Sequence, residues 1–156
     1  MIMDIFEAYL ARHKAHREDT AALVCASYKP IYERRHGKAL TDERINTELA
    51  TYGDALLRFA LLSLFLPRAN EVKLSEHIKP YLTDQYLIET VAKHYHLLDS
   101  ILFDRDNPSI PKRYVFYKND RTKYIATTVE AILGAIYLEG RDMDAILALV
   151  KSWTEL

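Results

Sequence analysis

From Ala55 to Leu66 the sequence ALLRFALLSLFL holds one charge, Arg58, and one other polar residue, Ser63. A helix of that composition is apolar on nearly every face, so it must be central to the domain and the rest of the chain has to pack around it. Directly before it stands the step Gly53-Asp54. A glycine in a helix interior costs roughly 1 kcal/mol against alanine, so Gly53 predicts that a second backbone comes close at this point. At about 100° per residue, Thr47, Ala50, Thr51, Asp54 and Arg58 share one stripe, while Glu48 falls off it. Asp54 is therefore a carboxylate at the mouth of a buried helix, either paired with Arg58 or free for chemistry.

The 156 residues fit one domain with one core, here taken as 1–156. Gly and Pro together number only nine, and 49% of the chain is apolar against 28% charged, which favours an all-α fold of seven or eight helices. One cysteine, Cys25, cannot form an internal disulfide. The core must then hold the fold, and a reducing, cytoplasmic setting is expected. The N-terminus has acidic Asp4 and Glu7 in an amphipathic pattern rather than a signal sequence. No membrane span is expected, because the longest apolar run is about a dozen residues, short of the roughly 20 a bilayer needs. A net charge of −1 argues against a surface that is cationic throughout but leaves room for a local basic face.

Taken in order, Met3 to Lys14 reads as a docking helix with the basic run HKAHR at its end. A second helix is expected over TAALVCASYKPIYERR, capped by Asp19 or Thr20 and ended or kinked by Pro30 near Tyr28. The cations Lys29, Arg34, Arg35 and Lys38 cluster there. Thr41, followed by Asp42 and Glu43, is expected to cap the central helix, which runs to Pro67. Ser75 should cap a helix that Pro80 stops or bends, and Thr83 with Asp84 should open another. The segment between Phe103 and Asn119 has two prolines and no helical period, so it reads as a long loop. A helix from about Asp120 to Glu139 should end at Gly140, and Asp142 should cap the last one.

Glu130 intrudes on the apolar run ATTVEAILGAIYLEG much as Asp54 does on its own helix. Ala131, Gly134 and Ala135 are small, so this helix could cross the central one where Gly53 and Ala55 also make room. Such a crossing would bring Asp54 and Glu130 together. Two carboxylates in an apolar setting repel unless they share a proton or a cation. Mg²⁺ needs only one or two protein carboxylates when water and phosphate oxygens complete its shell, so the pair would suffice for one ion. Alternatively, each acid satisfies a helix terminus or an arginine.

TELATYGDALL, followed well downstream by IATTVEAILGAIYLEG, resembles the two signatures of the ribonuclease III catalytic domain, and the upstream CASYKP resembles that family's short Ser-Tyr motif. The resemblance spans roughly Asp19 to Trp153. It implies a helical endonuclease fold, a Mg²⁺ (or Mn²⁺) cofactor, double-stranded or structured RNA as partner, and a homodimer with two sites facing one RNA groove. By the same resemblance Asp54 and Glu130 are the catalytic and metal-holding residues. Half of the usual acid set is missing: Ala50 and Thr127 stand where bacterial enzymes carry Glu and Asp, and Thr47 stands where they carry another Glu. The short Mini-III branch is similar to this chain at Ala50 and Thr127, although the Ser-Tyr motif is more like the longer enzymes.

The segment KRYVFYKNDRTK carries Lys112, Arg113, Lys118, Arg121 and Lys123 against the single Asp120, interleaved with aromatics. These cations are candidates for gripping RNA phosphates, the alternative being a merely solvated face. The histidines form no metal pattern. Leu61, Leu64 and Phe65 are candidates for a dimer interface, or equally for the core. Three functions are compatible with the sequence: a metal-dependent endoribonuclease, a catalytically degenerate relative that binds structured RNA or a ribonucleoprotein, and a helical interaction module.

Overall fold

The computed structural model describes residues 3–68 and 72–156. Among them lie seven α-helices and no strand, only an isolated parallel bridge between Val24 and Leu102. The helices are α1 (Ile5–His13), α2 (Lys29–His36), α3 (Thr47–Phe65), α4 (Leu74–Leu82), the short α5 (Asp84–Tyr86), α6 (Lys123–Gly140) and α7 (Met143–Trp153). The all-α expectation holds.

The central pair is α3 and α6. Ile125, Ala126, Val129, Ala131, Ile132 and Leu133 of α6 are all fully buried, and burying a side chain of Val or Leu size stabilises by roughly 1.5–3 kcal/mol. Helices α1, α4 and α7 pack around α3 and α6. With its following turn, α3 is long and apolar enough by length and composition to cross a bilayer. Its partners α6, α4 and α7 instead make it the central helix of a packed domain. At the far end Phe6 of α1 stacks on Tyr95, whose hydroxyl donates to Asp4 at 2.6 Å and accepts from the Trp153 indole at 2.8 Å.

Local signals succeeded where a side chain could act alone. Asp4 and Glu7 form a reciprocal capping box at the start of α1. The Thr83 hydroxyl accepts from the Tyr86 N–H at 3.1 Å, and Asp142 accepts from Ala145 at 3.1 Å.

Elsewhere tertiary contacts decided. The expected helix through Ala21–Tyr28 is two short 3₁₀ turns, because the chain extends at Val24 and Cys25 to bond with a distant loop. Cys25 N–H donates to Leu102 O at 2.9 Å, Leu102 N–H to Leu23 O at 2.8 Å, and Asn46 N–H to Val24 O at 2.9 Å. Pro30 then starts α2 rather than ending a helix, since a first-turn residue needs no N–H. Thr41 precedes only a 3₁₀ turn, and α3 begins at Thr47 once Leu40 and Ile45 have been buried against Val24, Tyr28 and Tyr32. Lys73, not Ser75, precedes α4, which contains Pro80 near its end. α6 includes Gly140, and Arg141 takes the left-handed turn at φ 53°.

Candidate active site at the crossing of α3 and α6

The two helices approach as closely as backbones can. A Cβ placed on Gly53 would stand 1.7 Å from the carbonyl oxygen of Glu130, and one on Gly134 would stand 2.8 Å from that of Leu49. Only glycine fits at Gly53, as the sequence implied. Ala55 is not part of the crossing; it is exposed.

Because Gly53 lies against the backbone of Glu130, the neighbouring Asp54 emerges beside the Glu130 side chain. Asp54 is exposed and Glu130 half-buried. Burial first, and the adjacent Asp54 carboxyl second, push Glu130 up to about 9; Asp84 adds to the rise and Lys123 opposes it. Asp54 forms no ion pair with Arg58 among the described residues, so the pairing that would make it structural is not there.

Ala50 is buried on α3 one turn before Asp54, and Thr127 is half-buried on α6 three residues before Glu130. Thr47 is exposed at the first position of α3. At their crossing the two helices therefore bring together the carboxyls of Asp54 and Glu130, with Ala and Thr at the positions beside them. Among the described residues no group of three or more His, Cys, Asp or Glu is drawn together as a metal cluster. Two carboxyls, one of them retaining its proton through burial and the neighbouring acid, still suit an octahedral divalent cation that takes its remaining ligands from water and phosphate.

A buried polar latch holds the crossing from behind. Thr128 donates to Tyr124 O at 2.8 Å and accepts from the Asn46 amide at 3.0 Å, and its hydroxyl lies 3.5 Å from the Cys25 thiol. Burial pushes that thiol up to about 11, so Cys25 is a neutral packing group. The Ser-Tyr step also proves to be architectural: Ser27 accepts from Asp104 N–H at 3.0 Å, and the Tyr28 hydroxyl donates to Glu18 at 2.6 Å.

Lys112, Arg113, Lys118, Arg121 and Lys123 are all exposed. Two of their aromatic neighbours, Tyr114 and Phe116, point the other way. The Tyr114 hydroxyl accepts from Leu98 N–H at 2.8 Å, Phe116 N–H donates to Glu89 at 2.8 Å, and both rings pack on the main core. The loop is thus fastened by its aromatics with its cations outward. Arg121 lies over the Tyr117 ring at 4.4 Å. Lys123 differs from the other four: its ammonium pairs with Asp84 at 3.2 Å.

Asp84 was not among the sequence candidates. Its one local signal was as an acid in the first turn of α5, behind the Thr83 cap, and it nevertheless faces α6 across the site.

An all-α domain whose two central helices cross at a glycine, with one acid from each helix at that crossing, is the arrangement that the resemblance to ribonuclease III implies. The ribonuclease III domain family matches residues 47–141, and the chain belongs to that family. Neither a curated protein nor a solved structure matches it. Membership supports an RNA endonuclease-type function on structured RNA.

Proposed function

We propose that this chain is a divalent-metal-dependent endoribonuclease acting on double-stranded or structured RNA, with Asp54 and Glu130 as its catalytic, metal-holding pair. The observation that carries the reading is the placement of two acids at the helix crossing with no arginine among the described residues to neutralise them. A structural pair of acids would be selected with donors around it. This one leaves a deficit of positive charge that Mg²⁺ or Mn²⁺ would fill. Bound there, such a cation would supply Lewis acidity toward phosphate oxygens and lower the pKa of a water. The protein's own part is to hold the two carboxyls in register through Gly53 and to release the proton from Glu130 as the cation arrives. Lys112, Arg113, Lys118 and Arg121 would hold the RNA backbone.

Ala50 and Thr127 favour a second reading, in which the site has decayed and the fold binds structured RNA without cutting it. Incubating duplex RNA with the protein, with and without Mg²⁺, separates the two. Cleavage that requires Mg²⁺ and falls roughly a thousandfold or more in Asp54→Asn supports the enzyme. Binding without cleavage, with cleavage gained on restoring Ala50→Glu and Thr127→Asp together, supports decay.

A two-fold dimer belongs to the same proposal. Leu61 is fully buried, and Phe65 stacks on His77 and Tyr81, so neither is available as an interface anchor; Leu64 is half-buried against the core. The exposed apolar stripe is instead Tyr52, Ala55 and Phe59 of α3 with Leu66 in the turn that follows, Phe59 and Leu66 being more than half exposed, while Leu62 between them is half-buried against the core. Such a stripe fits an isologous contact with a second copy. Sedimentation at micromolar concentration should show a dimer, and Phe59→Asp should shift it to the monomer.

A further inference from the structure

After α1 the 3₁₀ segment Lys14–Asp19 kinks at His16, whose backbone leaves the helical region at φ −131° and ψ 37°. Two hollows adjoin this kink. The smaller, of about 260 Å³, lies between the segment and α2, and its walls include Lys14, Arg17, Glu18, Asp19, Tyr28 and Arg35. The larger, of about 500 Å³, is lined by Glu7, Leu10, Leu23, Tyr95, Asp99 and Ser100. Lys14 and Arg17 wall both of them. No residue of α3 or α6 lines either hollow, so both stand apart from the acid pair.

In the smaller hollow each acid has a cation of its own. Glu18 is held by Arg35 and His36, both at 3.0 Å, and Asp19 by Arg44 at 3.2 Å. Lys14 and Arg17 take part in no ion pair among the described residues, although Arg17 is half-buried. Two positive charges are therefore left unanswered in the wall that the hollows share.

We propose that the paired hollows bind a free nucleoside 5′-monophosphate, with its phosphate on Lys14 and Arg17 and its nucleoside in the larger hollow. The proposal does not depend on the reading of Asp54 and Glu130. A phosphate monoester carries about −1.5 to −2 at pH 7, which matches two cations, whereas a phosphodiester of an RNA backbone carries a single charge. Arginine adds a planar fork of donors suited to phosphate oxygens. The larger hollow falls within the roughly 300–1,000 Å³ of small-molecule sites. Leu10, Leu23 and Tyr95 give it apolar surface for a base. Glu7 and Asp99 are acceptors there, suited to ribose hydroxyls or an exocyclic amino group. They would repel a ligand that is anionic throughout, so the occupant has to be negative at one end and a hydrogen-bond donor at the other. A duplex, convex and charged along its whole length, does not meet that description.

The test is calorimetric titration of the full chain in EDTA, with AMP, adenosine and inorganic phosphate as separate probes. AMP is expected to bind, and adenosine and phosphate each to bind about tenfold more weakly or worse, because the linked halves reinforce one another. Lys14→Met and Arg17→Met should each lower AMP affinity about tenfold, the loss of a charge-assisted contact. Arg17→Lys should recover part of it. Asp99→Ala should weaken AMP and adenosine about threefold and leave phosphate unchanged. Asp54→Asn should bind AMP as the wild type does.

No heat from AMP at about ten millimolar, far above the range in which small ligands are usually held, would overturn the proposal. So would wild-type affinity in both Lys14→Met and Arg17→Met, or loss of AMP binding in Asp54→Asn, which would move the nucleotide to the acid pair. Phosphate binding as tightly as AMP would remove the nucleoside from the larger hollow. A 5′-phosphorylated oligoribonucleotide that binds about tenfold more tightly than AMP through the same two cations would replace the free nucleotide with a strand end. Should Arg17→Met melt well below the wild type, the exposed Lys14 decides the matter through Lys14→Met alone.

Discussion

Glu18 and Glu130 are both partly buried carboxyls, yet their surroundings drive them in opposite directions. Glu18 accepts from the Tyr28 hydroxyl at 2.6 Å, Arg35 at 3.0 Å and the His36 ring at 3.0 Å. Burial alone would raise it, but the hydrogen bonds from Tyr28 and His36 and the charge of Arg35 outweigh burial and hold it below the usual carboxylate range. Around Glu130 burial acts in the same sense as the nearest partner, which is another acid, and the group rises to about 9. An acid wrapped in donors has its charge satisfied by the fold; an acid set against an acid is satisfied only by something that comes and goes. The comparison sets a carboxylate whose charge the fold satisfies against one whose charge it does not, the environment that the proposed role of Glu130 needs.

The crossing that creates this difference can be broken most severely at Gly53. Gly53→Ala puts a methyl 1.7 Å from the Glu130 carbonyl oxygen, and a backbone atom cannot swing away. The variant should lose about 3 kcal/mol or more in chemical denaturation, at the upper end for overpacking. Gly140→Ala, at the end of α6, is the control: a Cβ there meets nothing within 4 Å. It should be neutral or stabilising by about 0.5–1 kcal/mol, the difference in helix cost between glycine and alanine. Equal losses in both variants would mean that α3 and α6 do not meet at Gly53.

The next largest effect should come from Glu130→Gln, and it should stabilise. The folded pKa of Glu130 is raised, so between the ordinary carboxylate value near 4.5 and about 9 the unfolded chain has given up a proton that the folded chain retains. Stability of the metal-free wild type should therefore fall as pH rises through that window and level off above it. Glutamine removes the effect. In chelator at pH 8 the variant should be more stable by on the order of 2 kcal/mol, a value discounted for the solvent that reaches this rim, and the two proteins should converge near pH 4. Metal binding should follow the same proton: wild-type affinity for Mn²⁺ should climb by up to about tenfold per pH unit below 9, because the cation and the proton compete for one carboxyl. A melting temperature for Glu130→Gln that matches the wild type across the pH range would mean that neither burial nor Asp54 raises Glu130.

How much of this was legible depends on whether the determining contact was local. Gly53, Gly134 and the apolar runs around them announced both central helices and their close approach, and the juxtaposition of Asp54 with Glu130 followed from that. Asp84 could not be found in the same way. It lies on a separate element well beyond Asp54 in the chain, and nothing nearby separates an acid that faces α6 from one that merely opens a helix. The turns at Ala21–Leu23 and Ala26–Tyr28 were hidden because backbone pairing with Leu102, far along the chain, overrides their helical pattern. The segment after α5 winds as a π-helix over Leu87–Ala92, burying Leu87, Ile88, Val91 and Ala92 on one side. That geometry depends on what it packs against and has no propensity signal of its own. The basic loop was read for its charges, whereas its aromatics proved to be the anchors and gave the segment its orientation.

The smallest effect tests the other half of the comparison. Glu18→Gln keeps the volume and one acceptor oxygen but removes the charge that Arg35 answers, so it should destabilise where Glu130→Gln stabilises. Glu18 has a depressed folded pKa. Its contribution is fully present above the unfolded value near 4.5 and is lost as pH falls through the folded one. The side chain is a quarter exposed, and solvent screens the Arg35 pair, so the loss at pH 7 should be only about 1 kcal/mol. Once the pH has fallen below the depressed folded value, the wild type is protonated in both states and the difference should close. On thermal melts across pH the two glutamine variants would then lie on opposite sides of the wild type at pH 8 and approach it together in acid. Mn²⁺ should sharpen the contrast, raising the melting temperature of the wild type and of Glu18→Gln but not that of Glu130→Gln. If Glu18→Gln instead melts higher than the wild type at pH 8, the donors around Glu18 do not outweigh its burial, and the distinction between the two acids is one of exposure alone.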